Sequence, residues 1–90
     1  MDRVVITVVG KDTVGIIAGI CSHLAEHHIN ILDISQTIVS GFFNMMMIVD
    51  MTGSDEPFDK MSDSLAEVGL KIGVVVKCQR EAIFDQMHRV

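Results

Sequence analysis

Ninety residues make one domain, with room for a single core and little left for a deep private pocket. A net charge of −5 excludes the basic stripe that a nucleic-acid surface needs. Hydrophobic residues at 49% and charged residues at 21% make a chain that folds and exclude disorder, yet no apolar run approaches the roughly 20 residues that span a bilayer.

There is no Trp or Tyr, and seven Met share the core with four Phe. The chain enters Asp2-Arg3 in strand-like sequence, with no signal peptide. Cys21 and Cys78 lie in apolar contexts and form no CxxC, so both are read as free thiols of a reducing compartment. The expected location is cytoplasmic.

Arg3–Val9 is rich in β-branched residues and reads as a buried strand. The loop Gly10–Val14 follows, where Asp12 or Thr13 is placed to cap the next helix. Ile17, Ile20, Cys21 and Leu24 then recur at the spacing of a buried helical stripe, and His27-His28 ends that helix. Asn30–Val39 alternates, with Leu32, Ile34 and Ile38 on one face. Ser40-Gly41 is a two-residue hairpin signal, and Phe42–Met51 returns from it. That turn pairs Val39 with Phe42, Ile38 with Phe43, Thr37 with Asn44, Ile34 with Met47 and Leu32 with Val49.

Pro57 suits the first turn of a second helix, with Phe58, Met61, Leu65 and Val68 as its stripe and Gly69 as its stop. Leu70–Cys78 alternates as a fourth strand. Gln79–Val90 closes the chain as a tail helix with Ile83, Phe84, Met87 and Val90 on one side. The order β-α-β-β-α-β defines an α+β, ferredoxin-like sandwich: a four-stranded antiparallel sheet with two helices on one face, plus the short C-terminal helix. Residues 1–90 form a single domain, with its core at 3–78 and its tail at 80–90.

Gly10-Lys-Asp-Thr-Val-Gly-Ile-Ile-Ala-Gly-Ile-Cys-Ser-His-Leu-Ala-Glu-His-His-Ile-Asn-Ile resembles the signature of ACT domains. The matching residues are Asp12, Gly15, Ala18, Leu24, Ala25, Asn30 and Ile31. The whole chain is similar to small stand-alone ACT proteins, and its first half to the ACT modules of the glycine-cleavage-system repressor group. The resemblance implies a regulatory module that binds an amino acid or another small metabolite at a subunit interface. It places the ligand-binding residues at Asp12, Thr13, Val14, Gly15 and Ile16, and at Asn30, Ile31 and Leu32. It further implies a homodimer and a separate regulated protein, with no cofactor.

Each of these residues also has a plainer reading. Asp12 is as well suited to capping the helix, Gly15 to close packing, and Asn30 to the turn before its strand. His23 and His27 stand at i, i+4, but no carboxylate or Cys completes a metal-ligand spacing nearby, so they read as surface histidines and no metal is expected. The Met45-Met46-Met47 run sends its side chains to both faces of a strand and reads as packing.

No nucleophile has a neighbouring base, and no catalytic residue is expected. A small acylphosphatase-type hydrolase shares the fold plan, but Asp12 beside Lys11 repels phosphate. An RNA-binding sheet needs aromatics on its central strands for base stacking, and on the open face here only Phe42 is aromatic, at its strand's end. A purely structural interaction domain is the third alternative. The uncovered sheet face, with Val5, Val9, Phe42, Met46, Ile48 and Val75, and the second strand at a sheet edge both predict a homodimer.

Overall fold

A computed structural model describes residues 1–82 of the chain. Its elements are β1 (Arg3–Lys11), α1 (Ile16–Glu26), β2 (Asn30–Val39), β3 (Phe42–Asp50), α2 (Phe58–Ile72) and β4 (Val74–Arg80). The four strands form one antiparallel sheet in the order β2-β3-β1-β4. This is the expected ferredoxin-like βαββαβ plan, with β1 and β3 in the middle and β2 and β4 at the edges.

The core lies between the sheet and the helices. Val4, Ile6 and Val8 of β1 and Phe43, Met45, Met47 and Val49 of β3 meet Ile16, Ile20 and Leu24 of α1 and Met61 and Leu65 of α2. Alternate residues of the two central strands supply one side of it, as a half-covered sheet requires. The α1 stripe holds at Ile20 and Leu24, which are buried, and at Cys21, which packs against the core, but it begins at Ile16 rather than at Ile17, which is 39% exposed. In α2, Met61, Leu65 and Gly69 are buried, while Phe58 and Val68 are only half-buried.

The hairpin forms as its turn residues demand. Ser40 and Gly41 both take positive φ, at 51° and 80°, which matches a tight turn to the twist of its strands. Val39 faces Phe42, Ile38 faces Phe43, Thr37 faces Asn44 and Ile34 faces Met47, as expected. The pairing of Leu32 with Val49 does not form. A bulge lies between Ile31 and Asp33, so Ile31 takes the place opposite Val49.

Two boundaries near the second helix shift. Gly69 is not a stop, since α2 continues through Leu70, Lys71 and Ile72. Gly73 ends it in the left-handed conformation at φ 92°, with its N–H donating to the Gly69 carbonyl at 2.8 Å. Gly69 is instead a contact point, because a Cβ there would lie 2.6 Å from Val76 Cγ2 and 3.0 Å from the Val74 carbonyl. The fourth strand therefore starts at Val74 and takes in Gln79 and Arg80, which had been expected in the tail helix. Glu81 and Ala82 are helical, and the remainder of that predicted tail, with Ile83, Phe84, Met87 and Val90, lies outside the described residues.

Candidate functional site

The loop after β1 is exposed throughout Asp12, Thr13, Val14 and Gly15, and Val14 stands wholly in solvent. Gly15 is the N-cap of α1 at φ 93°, a backbone state that excludes most side chains at low cost. The expected cap does not form: neither Asp12 nor Thr13 bonds the helix, and α1 has no side-chain cap. The first bond is from Gly19 N–H to the Gly15 carbonyl, at 2.9 Å. The amides of the first turn are thus left without helical partners, and no acidic side chain lies in that turn. Asp12 N–H donates to the Gly41 carbonyl at 2.9 Å, which ties the loop to the β2–β3 turn.

Asn30, Ile31 and Leu32 lie elsewhere. Asn30 opposes Asp50, which in turn opposes Arg3 at the start of β1. Asp12 follows Lys11 at the far end of that strand. The two groups of predicted site residues are therefore at opposite ends of the sheet, separated by nine strand residues, or roughly 27 Å. Within one chain they border no common cleft. Beside Asn30, Asp50 accepts from the Thr52 hydroxyl at 2.6 Å, the Thr52 amide at 3.0 Å and the Asp2 amide at 3.1 Å. The Thr52 hydroxyl, then these amides, hold the Asp50 carboxyl below the usual carboxylate range.

On the open sheet face, Val9, Phe42, Met46 and Val75 are exposed as expected, Ile48 is half-buried and Val5 is only 3% exposed. A shallow concavity of about 220 Å³ crosses this face, with Thr7, Val9, Ser35, Thr37, Asn44 and Met46 among its walls.

The C-terminal end of α1 departs most from expectation. His23 and His27 are half-buried rather than free on the surface, and each has a partner. His23 Nε2 is 2.9 Å from Ser64 Oγ of α2. His27 Nδ1 is 2.8 Å from Asp55 Oδ1 and 3.5 Å from Glu56 Oε1. The two imidazole rings are 4.7 Å apart, centroid to centroid. The hydrogen bond to Asp55 is the main cause that raises the His27 pKa above its ordinary value, with Glu56 adding to it.

The spacing of the histidines alone did not reveal this group, because Asp55 and Glu56 come from the loop before α2. The topology is the signal that predicts it. Two antiparallel crossover helices on one face bring the end of α1 beside the start of α2. The chain leaves α1 through His28 at φ 60°, with Ile29 N–H donating to the Leu24 carbonyl and His28 N–H to the Ala25 carbonyl. That left-handed exit holds the ring of His27 next to Asp55. Both thiols are free and their pKa values are raised by burial, that of Cys78 to about 11.

The element order and the sheet order together define the ferredoxin-like class, and comparison with known proteins narrows it to one family. The family model for the ACT domain matches residues 2–79, and the chain belongs to that family. It is 56% identical over all 90 residues to a UPF0237 protein of Bifidobacterium longum, matching that protein's full length. Among solved structures, an ACT domain protein from Streptococcus pneumoniae superposes with a TM-score of 0.82 at 37% identity, covering 93% of this chain and 94% of that one. A candidate glycine cleavage system transcriptional repressor shares the fold, with a TM-score of 0.74 at 22% identity over 88% of this chain and 45% of that one. Among the described residues, no helix is long and apolar enough to cross a membrane.

Proposed function

We propose that this protein is a non-catalytic regulatory module that binds an amino acid between two copies of itself and passes the signal to a separate protein. The observation that carries the reading is the bare first turn of α1: unpartnered amides behind an exposed loop, with a glycine where a side chain would obstruct approach. A ligand carboxylate suits those amides, and the Asp12 carboxylate suits a ligand ammonium group.

The two-copy arrangement answers the separation of the site's halves. Antiparallel pairing of β2 with the β2 of a second copy, centred between Ile34 and Ser35, lays the start of one strand beside the end of the other. The partner's Asn30 and Leu32 then lie next to Thr37–Val39, close to the turn that Asp12 bonds. The apolar, exposed character of β2 supports such pairing: Ile34, Ile38 and Val39 are 42%, 60% and 60% exposed. Family membership supports the regulatory reading.

The test is calorimetry of the purified protein against a panel of amino acids, followed by NMR titration with whichever binds. Shifts are expected in both Asp12–Ile16 and Asn30–Leu32. Replacing Gly15 with Leu is expected to abolish binding at a folding cost of about 1–2 kcal/mol, because only backbone strain opposes it. Shifts confined to the open sheet face would reject this site.

A further inference from the structure

We propose that His23, His27 and Glu56 form a binding site for a divalent first-row transition ion, zinc by donor type, which fastens the end of α1 to the start of α2. One donor atom from each of the three lies within 4.8 Å of the other two. A tetrahedral zinc ion with nitrogen and oxygen ligands at about 2.0–2.2 Å holds its donors roughly 3.4 Å apart. The His27 Nδ1 to Glu56 Oε1 separation is already 3.5 Å. The remaining closure is under about 1.5 Å, within reach of side-chain rotation.

The donor set is two imidazoles and one carboxylate, which suits zinc, nickel, cobalt or copper and is too nitrogen-rich for calcium or magnesium. The backbone around the site is held from both sides. His23 and His27 sit one helical turn apart on α1, and the left-handed exit at His28 fixes the end of that helix. Ser54 Oγ donates to the Glu56 carbonyl at 2.9 Å and accepts from the Glu56 amide at 3.1 Å, which fixes the backbone that presents the carboxylate.

The polar neighbours needed to support the ligands are also present. Ser64 Oγ lies 3.4 Å from Glu56 Oε1 and 2.9 Å from His23 Nε2, and it also reaches the Met61 carbonyl at 3.1 Å. On loading, His23 Nε2 turns from Ser64 to the metal, and the single Ser64 hydroxyl proton is then donated to the Met61 carbonyl. Asp55, now on His27 Nδ1, becomes free to serve as a fourth ligand or to hold a metal-bound water. The imidazoles bind metal only as neutral rings, so affinity falls in acid.

The experiment titrates chelator-treated full-length protein with zinc chloride by calorimetry, and with cobalt chloride while recording the visible spectrum. The expected result is one ion per chain and the intense visible bands of four-coordinate cobalt. His27→Gln and Glu56→Gln, each measured alone, are expected to weaken binding by more than about 100-fold, since even loss of an outer partner of a ligand costs roughly 10–100-fold. His28→Asn, which keeps a residue tolerant of the left-handed backbone and lies outside the cluster, is expected to leave binding unchanged. Circular dichroism of each variant shows whether it is folded, and two ligand variants guard against one failing to fold. No binding at millimolar metal, or undiminished binding in folded Glu56→Gln, overturns the proposal. Amino-acid binding by the same metal-free protein is measured separately, so loss of one activity does not mimic loss of the other.

Discussion

The two edge strands of the sheet are built from similar residues and end in different environments. β4 lies under α2: Val74 and Val76 are buried, and Gly69 lets the helix backbone come down onto Val76. β2 has Leu32, Ile34, Ile38 and Val39, yet every residue from Leu32 to Val39 is exposed. Ile34 and Ile38 stand opposite Met47 and Phe43, which are core residues, so they point to the helix side of the sheet. The helix layer stops short of them. An apolar sequence therefore produces a finished edge where a helix covers it and an open one where no helix reaches.

The sharpest way to break this comparison is to place the same charge on both edges. Val76→Asp buries an unpaired carboxylate and is expected to cost about 4 kcal/mol or more in urea unfolding. Ile34→Asp is expected to cost less than about 1 kcal/mol of chain stability, while light scattering shows any two-copy assembly falling to one copy. An equal cost at both positions would mean that β2 is covered within its own chain.

Gly69→Ala is the next largest effect. Its new methyl would meet Val76 Cγ2 at 2.6 Å and a backbone carbonyl at 3.0 Å. A loss of about 1–3 kcal/mol is expected, because the strand backbone must give way. Gly19→Ala on α1 meets only the tip of Ile72, at 2.5 Å. That flexible end can rotate aside, and the gain in helix propensity offsets up to about 1 kcal/mol, so its thermal unfolding is expected to stay near that of the parent.

A smaller effect follows from pH. His27 has its pKa raised by Asp55. The pair therefore stabilises the fold fully below the unfolded His pKa of about 6.5, as long as Asp55 is ionised, and this is lost as pH rises through the higher folded value. Asp55→Asn is expected to lower Tm more at pH 6 than at pH 9. The smallest effect lies on β4. The Cys78 thiol, pushed by burial to about 11, is expected to be alkylated at pH 8 more slowly than a free thiol.

The strands and the hairpin register were legible because alternation and the Ser40-Gly41 turn act locally. The end of α2 was not. Gly69 and Gly73 are both plausible stops in sequence, and Leu70, Ile72 and Val74 alternate like a strand. Only the approach of Val76 shows which glycine packs and which one caps. The start of the α1 stripe was not legible for a related reason: Val14-Gly-Ile-Ile-Ala-Gly-Ile-Cys has no polar residue to mark its outer side, so Ile17 reads in place of Ile16. The residues proposed for the ligand were named from the signature, but their placement at opposite ends of the sheet follows from topology. The neighbours of His23 and His27 likewise follow only from topology and not from local spacing, since Asp55 lies 28 residues beyond His27 and Ser64 lies 41 beyond His23.

The sheet order also sets a timetable. Of the four described strands β1 is made first and β4 last, yet they are hydrogen-bonded neighbours, with Val4 opposite Arg80 and Arg80 Nη1 3.1 Å from Asp2 Oδ1. At synthesis rates of about 5–20 residues per second, the intervening chain takes roughly 3–14 s to appear. For the later part of that interval, once β3 has been made, β1 has β3 on one flank and nothing on the other. A newborn chain thus presents a second unpaired, β-branched border in the middle of what will become the sheet until residue 80 arrives.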